Sequence, residues 1–87
     1  MLCCLMVKFG YVYMLESLSN PGRYYVGFTE NLKDRLKKHN GGQVRHSLQY
    51  RPWRIKTAIA FRDIDRAHAF ERYLKTASGR AFAKKRF

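Results

Sequence analysis

The sequence predicts an α/β fold: a small three-stranded antiparallel sheet flanked by helices, in the order β-β-α-β-α-α. Three observations predict it. Two short runs of strand formers, YVY at Tyr11–Tyr13 and YYVGF at Tyr24–Phe28, flank a stretch of turn residues. A third run, WRIKTAIAF at Trp53–Phe61, alternates apolar and polar positions. Two further segments repeat apolar residues at steps of three and four, the helical period.

Each element follows from its own residues. Tyr11–Glu16 reads as the first strand, and SLSNPGR supplies the Ser, Asn, Pro and Gly of a turn. Tyr24–Phe28 is the second strand, paired antiparallel to the first through a loop longer than the tightest hairpins. TENLKDRLKKHNGG reads as a helix with Thr29 as N-cap, Leu32 and Leu36 one turn apart, and Asn40, Gly41 and Gly42 as its stop. QVRHSLQYRP is a polar, basic connection ended by Pro52. After the third strand, DIDRAHAFERYLK is a second helix with Asp63 or Asp65 at its start. Thr76–Gly79 interrupts the pattern, and RAFAKKRF is a short last helix or a basic tail.

At 87 residues the chain has room for one small domain, placed at residues 10–87, with residues 1–9 as a short N-terminal extension. A hydrophobic content of 46% excludes a disordered chain. The adjacent Cys3 and Cys4 do not suit a disulfide, and no other cysteine completes a zinc site. They are read as reduced thiols, which points to a cytoplasmic protein. The apolar start MLCCLMVKFG is too short to span a membrane and lacks the leading charge of a signal peptide. Met6 is an alternative start. The net charge of +12 predicts an anionic partner, nucleic acid before a membrane surface.

The informative positions are polar groups on apolar faces. Leu32, Arg35, Leu36 and His39 share one face of the first helix, and Ile64, Ala67, Glu71 and Leu74 share one face of the second. A carboxylate in an apolar stripe needs a cation or donors, because burying it unpaired costs several kcal/mol. Structural explanations exist for each: a Glu71–Arg35 ion pair that orients helices, a helix-end cap by His39, and a tyrosine-rich sheet face packed in the core. In the hairpin, Tyr13 opposite Tyr25 would set Tyr11 opposite Gly27. Gly27, lacking a side chain, would then leave open space beside the tyrosines.

In order along the chain, these residues resemble the GIY-YIG nuclease family. YVY at Tyr11–Tyr13 stands where that family has G-I-Y, and YVG at Tyr25–Gly27 where it has Y-I-G. NLKDRLKKHN is similar to its first-helix motif, which places Arg35 at the family's arginine and His39 at the following His or Tyr. AHAFERYLK is similar to the helix that carries its metal-binding glutamate, here Glu71. The resemblance runs from Gly10 to Phe87; YRPW and SGRAFAKKRF look like small stand-alone bacterial members, and YVGFT is also similar to the eukaryotic nuclease subunit that cuts branched DNA. Tyr11 replaces the first glycine, Phe28 stands where repair-type members carry a lysine, and the asparagine that many members place after the glutamate helix has no counterpart.

The resemblance implies a metal-dependent DNA endonuclease acting in repair or recombination. Phosphodiester hydrolysis needs an activated water, a Lewis acid and stabilisation of added negative charge. Glu71 offers one hard oxygen ligand, suited to a single Mg²⁺ or Mn²⁺ whose other ligands are water and phosphate. Arg35 suits a bidentate hold on the scissile phosphate. Tyr13 is the preferred base, with Tyr25 orienting water or phosphate and His39 relaying a proton or bonding the phosphate. Phosphate contacts are expected from Lys33, Lys37, Lys38, Arg45, His46, Arg51, Arg54, Lys75, Arg80, Lys84 and Lys85, with Gly27 giving room for the cut backbone. Such contacts carry little sequence information. The expected substrate is therefore double-stranded or branched DNA, without a membrane role and with targeting left to a partner protein. Two competing readings are a non-catalytic nucleic-acid-binding domain of the same fold and an RNA-stacking sheet, which would need a fourth strand.

Overall fold

The structure, a computed structural model, describes residues 8–87. Most of the extension, with Cys3, Cys4 and the alternative start at Met6, lies outside the described residues. The elements are β1 (Gly10–Ser17), β2 (Tyr24–Thr29), α1 (Leu32–Asn40), a 3-10 turn (Arg45–Tyr50), β3 (Trp53–Phe61), α2 (Ile64–Leu74) and α3 (Ala77–Arg86). Among the described residues the sheet has three strands, in the order β2-β1-β3, both pairs antiparallel. The expected β-β-α-β-α-α order and fold class are those observed, and among the described residues there is no fourth strand of the kind the RNA-stacking sheet would need.

Central β1 is buried on both faces: Val12, Tyr13, Met14 and Leu15 are each at most 7% exposed. Its alternation therefore feeds two cores. Val12 and Met14 meet Ala67, Leu74 and Ala83 of α2 and α3, with Val26, Phe28, Phe61, Phe70 and Phe87 around them. Tyr13, Leu15 and Trp53 form the second core, covered by Leu32 and Leu36 of α1 and by Tyr25, Tyr50 and Ile55. The sheet thus sits between two helical layers.

Strand β3 serves both layers through a bulge. Leu15 pairs with Ile55 but Met14 pairs with Thr57, which leaves Lys56 as the extra residue. An extra residue reverses the facing of everything beyond it. So Ile55 packs with the tyrosine layer, and Phe61 with the α2–α3 layer, although both are odd-numbered positions of one alternating run.

The hairpin register differs from the expectation by two residues. Tyr13 faces Gly27, and Tyr25 faces Leu15. A two-residue slip keeps every side chain on its face, so Tyr13, Tyr25 and Gly27 still share one side. The turn sets this register: Arg23 N donates to Asn20 O at 3.1 Å across Asn20–Arg23, and Gly22 takes φ 96°.

Helix starts also move. Asn31 caps α1 through its side chain, which accepts from Asp34 N at 3.0 Å. Thr29, the expected cap, instead bonds Asn31 N at 3.1 Å from the end of β2 and turns the chain into the cap. Asp63 caps α2. Thr76 caps α3 by accepting from Gly79 N at 3.1 Å, so that helix begins earlier than RAFAKKRF implied. A Cβ on Gly79 would collide with the Tyr73 carbonyl, which is how α3 folds tightly back against the end of α2.

Candidate active site

Tyr13 sits at the middle of the central strand, 2% exposed, with its hydroxyl 2.8 Å from His39 Nε2. The partner reaches it because α1 lies on that face of the sheet with Leu32, Leu36 and His39 turned inward. His39 is fully buried. Its other nitrogen, Nδ1, lies 2.6 Å from Ser47 Oγ, and Ser47 is likewise fully buried in the 3-10 turn. The helix-end cap considered for His39 is therefore not its role. That end is tied down by Asn40, whose side chain donates to Trp53 O at 3.0 Å and accepts from Trp53 N at 2.6 Å.

Tyr25 completes an aromatic cluster. Its ring lies 4.7 Å from that of His39 and 6.4 Å from that of Tyr13, with Trp53 at 6.3 Å on another side. Tyr25 is half-buried, so its edge is open where Tyr13 is closed. Gly27 is buried, and the space above it is filled by the Tyr13 phenol, which a Cβ there would strike. The room expected beside Gly27 for a DNA backbone is thus occupied by Tyr13.

The electrostatics separate the two partners' protons. Burial first, then the Arg35 charge, holds His39 down at about 4, so the imidazole is neutral at pH 7. Burial above all raises the Tyr13 phenol well beyond its ordinary value. Tyr25 adds to that rise, Arg35 opposes it, and the Glu71 charge adds again. Arg35 lines a crevice with Tyr13, Leu15, Leu32, Leu36 and Ile55. Tyr13, Tyr25, His39 and Arg35 are therefore assembled as one group.

Glu71 stands apart from that group. It belongs to α2, in the opposite helical layer, and its link to the site is the field it exerts on Tyr13. No Arg35–Glu71 ion pair forms among the described residues. Glu71 Oε2 instead accepts from Lys75 Nζ at 2.9 Å, one turn along the helix, while Oε1 has only the His68 ring at 3.9 Å. One carboxylate oxygen thus keeps its lone pairs free, and its side chain is 18% exposed. Among the described residues no three acidic, His or Cys side chains converge on a metal position. That donor set fits a divalent ion held by one protein oxygen and completed by water and phosphate, and does not fit an all-protein cage.

The basic residues expected to meet phosphate are all exposed. Three are engaged: Lys38 with Asp34 at 3.2 Å, Arg54 with Glu16 at 2.7 Å, and Lys75 with Glu71. Lys33 and Lys37 lie on α1 and Arg45, His46 and Arg51 in or at the end of the 3-10 turn, whereas Arg80, Lys84 and Lys85 lie on α3 of the other layer. Phe28, which stands where the resemblance led to an expected lysine, lies tilted against His68 with ring centres 4.2 Å apart. Ser47 and the Asn40 clamp escaped the sequence reading. A serine in a polar loop carries no periodicity, and only the folded turn brings it under α1.

The comparisons agree with this architecture. The GIY-YIG catalytic domain matches residues 9–86. A structure-specific endonuclease subunit SLX1 homolog of Giardia intestinalis is 40% identical over 48 residues, covering 52% of this chain and 13% of that protein. Its namesake in Leishmania infantum is 39% identical over 66 residues, covering 69% of this chain and 9% of that protein. The chain therefore corresponds to a small part of each relative. No solved structure gives a significant match. With nearly the whole chain matched, and with Tyr13, Tyr25, Arg35 and His39 assembled beside β1, the chain belongs to the GIY-YIG nuclease family.

Proposed function

We propose that this chain is a metal-dependent endonuclease that hydrolyses DNA phosphodiester bonds, acting in repair or recombination and reading DNA structure more than sequence. The observation that carries the reading is the buried Tyr13–His39 hydrogen bond, with Arg35 and Glu71 both acting on the same phenol. Glu71, through its free Oε1, is the residue that would hold Mg²⁺ or Mn²⁺. When bound, such an ion supplies Lewis-acid stabilisation of the charge that builds on the phosphate.

The side chains do the rest. A standing Tyr13 phenolate is disfavoured, because burial raises the phenol. Tyr13 can nevertheless take a proton from an attacking water if its own proton passes to His39 Nε2 in the same event. His39 is neutral and placed to accept it. Arg35 is placed to fork two oxygens of the scissile phosphate. Tyr25, with an open edge beside His39, orients the water or the phosphate. The net charge of +12 draws in the DNA, and targeting by a partner protein is in keeping with the relatives being named subunits.

The test is nicking of plasmid, flap and four-way DNA with Mg²⁺ or Mn²⁺, comparing the wild type with Glu71→Gln and Arg35→Ala. Each variant is expected to lose on the order of a hundredfold or more in rate while still binding DNA. Equal cutting by all three proteins overturns the reading. Salt-sensitive binding without cleavage of any substrate establishes the non-catalytic alternative.

A further inference from the structure

We infer that Ser47 is a positioning residue: its hydroxyl holds His39 with the proton on Nδ1, which leaves the Nε2 lone pair facing the Tyr13 hydroxyl. The inference deepens the proton transfer described above and rests on that reading for its catalytic meaning. Three observations carry it.

Ser47 has one hydroxyl proton and two candidate acceptors. Its Oγ lies 3.2 Å from the Val44 carbonyl oxygen, which can only accept, and 2.6 Å from His39 Nδ1. If the hydroxyl donates to Val44, its lone pairs face Nδ1 and the imidazole must donate there. Nε2 is then an acceptor, and the Tyr13 hydroxyl donates to it at 2.8 Å. Every buried proton in the chain Tyr13–His39–Ser47–Val44 then has an acceptor. The reverse arrangement takes the hydroxyl proton from Val44, and it turns Nε2 into a donor that cannot receive the phenol proton.

The second observation is rigidity. Ser47 and His39 are both fully buried, Ser47 N donates to Val44 O at 3.2 Å, and Ser47 O accepts from the Trp53 indole at 2.8 Å. Both ends of the serine backbone are fixed, so the hydroxyl is aimed by the 3-10 turn and not by its own rotamer alone. The third is the absence of a competitor: among the described residues Ser47 is the only partner of Nδ1. An imidazole whose second nitrogen is anchored in this way is held in one tautomer and one orientation.

The experiment reads the tautomer directly, through imidazole ¹⁵N shifts of the full chain by long-range NMR, beside the DNA-nicking rate. It uses wild type, Ser47→Ala and Ser47→Thr. The wild type and Ser47→Thr are expected to show a single Nδ1–H tautomer at His39. Ser47→Ala is expected to show the Nε2–H form or a mixture, with nicking about tenfold to a hundredfold slower and DNA affinity unchanged. An Nε2–H tautomer in the wild type overturns the inference, whether or not any variant folds. So does a Ser47→Ala protein with both tautomer and rate unchanged. A wild type that cuts no DNA defeats the nuclease reading alone, because the tautomer still decides the role of Ser47.

Discussion

Tyr13 and Gly27 face each other across β1 and β2, and the phenol of Tyr13 lies over the glycine in the space a methyl group would need. The glycine is thus the reason a buried tyrosine can lie along the sheet and still point its hydroxyl at His39. A larger residue there would push the ring off its partner. The motif's tyrosine and glycine, on different strands, are one packing unit.

Gly27→Ala is therefore expected to destabilise the fold by about 1–3 kcal/mol through overpacking. The clash is with the Tyr13 hydroxyl and the ring carbon that bears it. In a Tyr13→Phe background the cost should shrink, because the nearest atom is gone. Urea unfolding of the two single variants and the double variant measures that coupling, and additive costs would refute the contact.

His39 makes stability depend on pH in a definite direction. Its folded value of about 4 lies below the ordinary 6.5, so the unfolded chain binds the extra proton first. Stability from this group is complete above pH 6.5, falls as the pH drops towards 4, and changes no further below that. The loss amounts to about 3 kcal/mol. Carboxylates titrate in the same range, so the check is a comparison of slopes: His39→Gln should lose less stability than wild type between those two pH values.

The clamp between Asn40 and Trp53 should be worth about 1–3 kcal/mol, since its loss leaves the Trp53 amide without its partner. Asn40→Ala is expected to lower the unfolding midpoint. Asn40→Asp should recover most of it, because the shorter of the two bonds, at 2.6 Å, uses Asn40 as acceptor. Chemical denaturation of the three proteins decides this.

Lys33 and Lys37 lie one turn apart on α1 and enter no ion pair among the described residues, whereas Lys38 is held by Asp34. If α1 meets the DNA backbone, Lys33→Ala and Lys37→Ala should each reduce the slope of log affinity against log salt by about 1. Lys38→Ala should change it less. Fluorescence anisotropy with labelled duplex across a salt series gives the slopes.

The sequence by itself determined the elements and their order, the burial of His39's helix face, and the ordered set Tyr13, Tyr25, Arg35, His39 and Glu71. Those features are local or periodic. Alternation marks a strand, steps of three and four mark a helix, and a short spaced motif survives in linear order. The tertiary structure decided how those faces meet. The register slipped by two residues because the Asn20–Arg23 turn, and not the ring pairing, fixes it. The Lys56 bulge split one alternating strand between two cores, which no count of periods foretells. Tyr13 took the space beside Gly27, and Ser47 came under His39 from a loop with no pattern of its own. A hydrogen bond between residues far apart in sequence depends on where two backbones pass each other. That is set by packing, after the local preferences that a sequence displays are already satisfied.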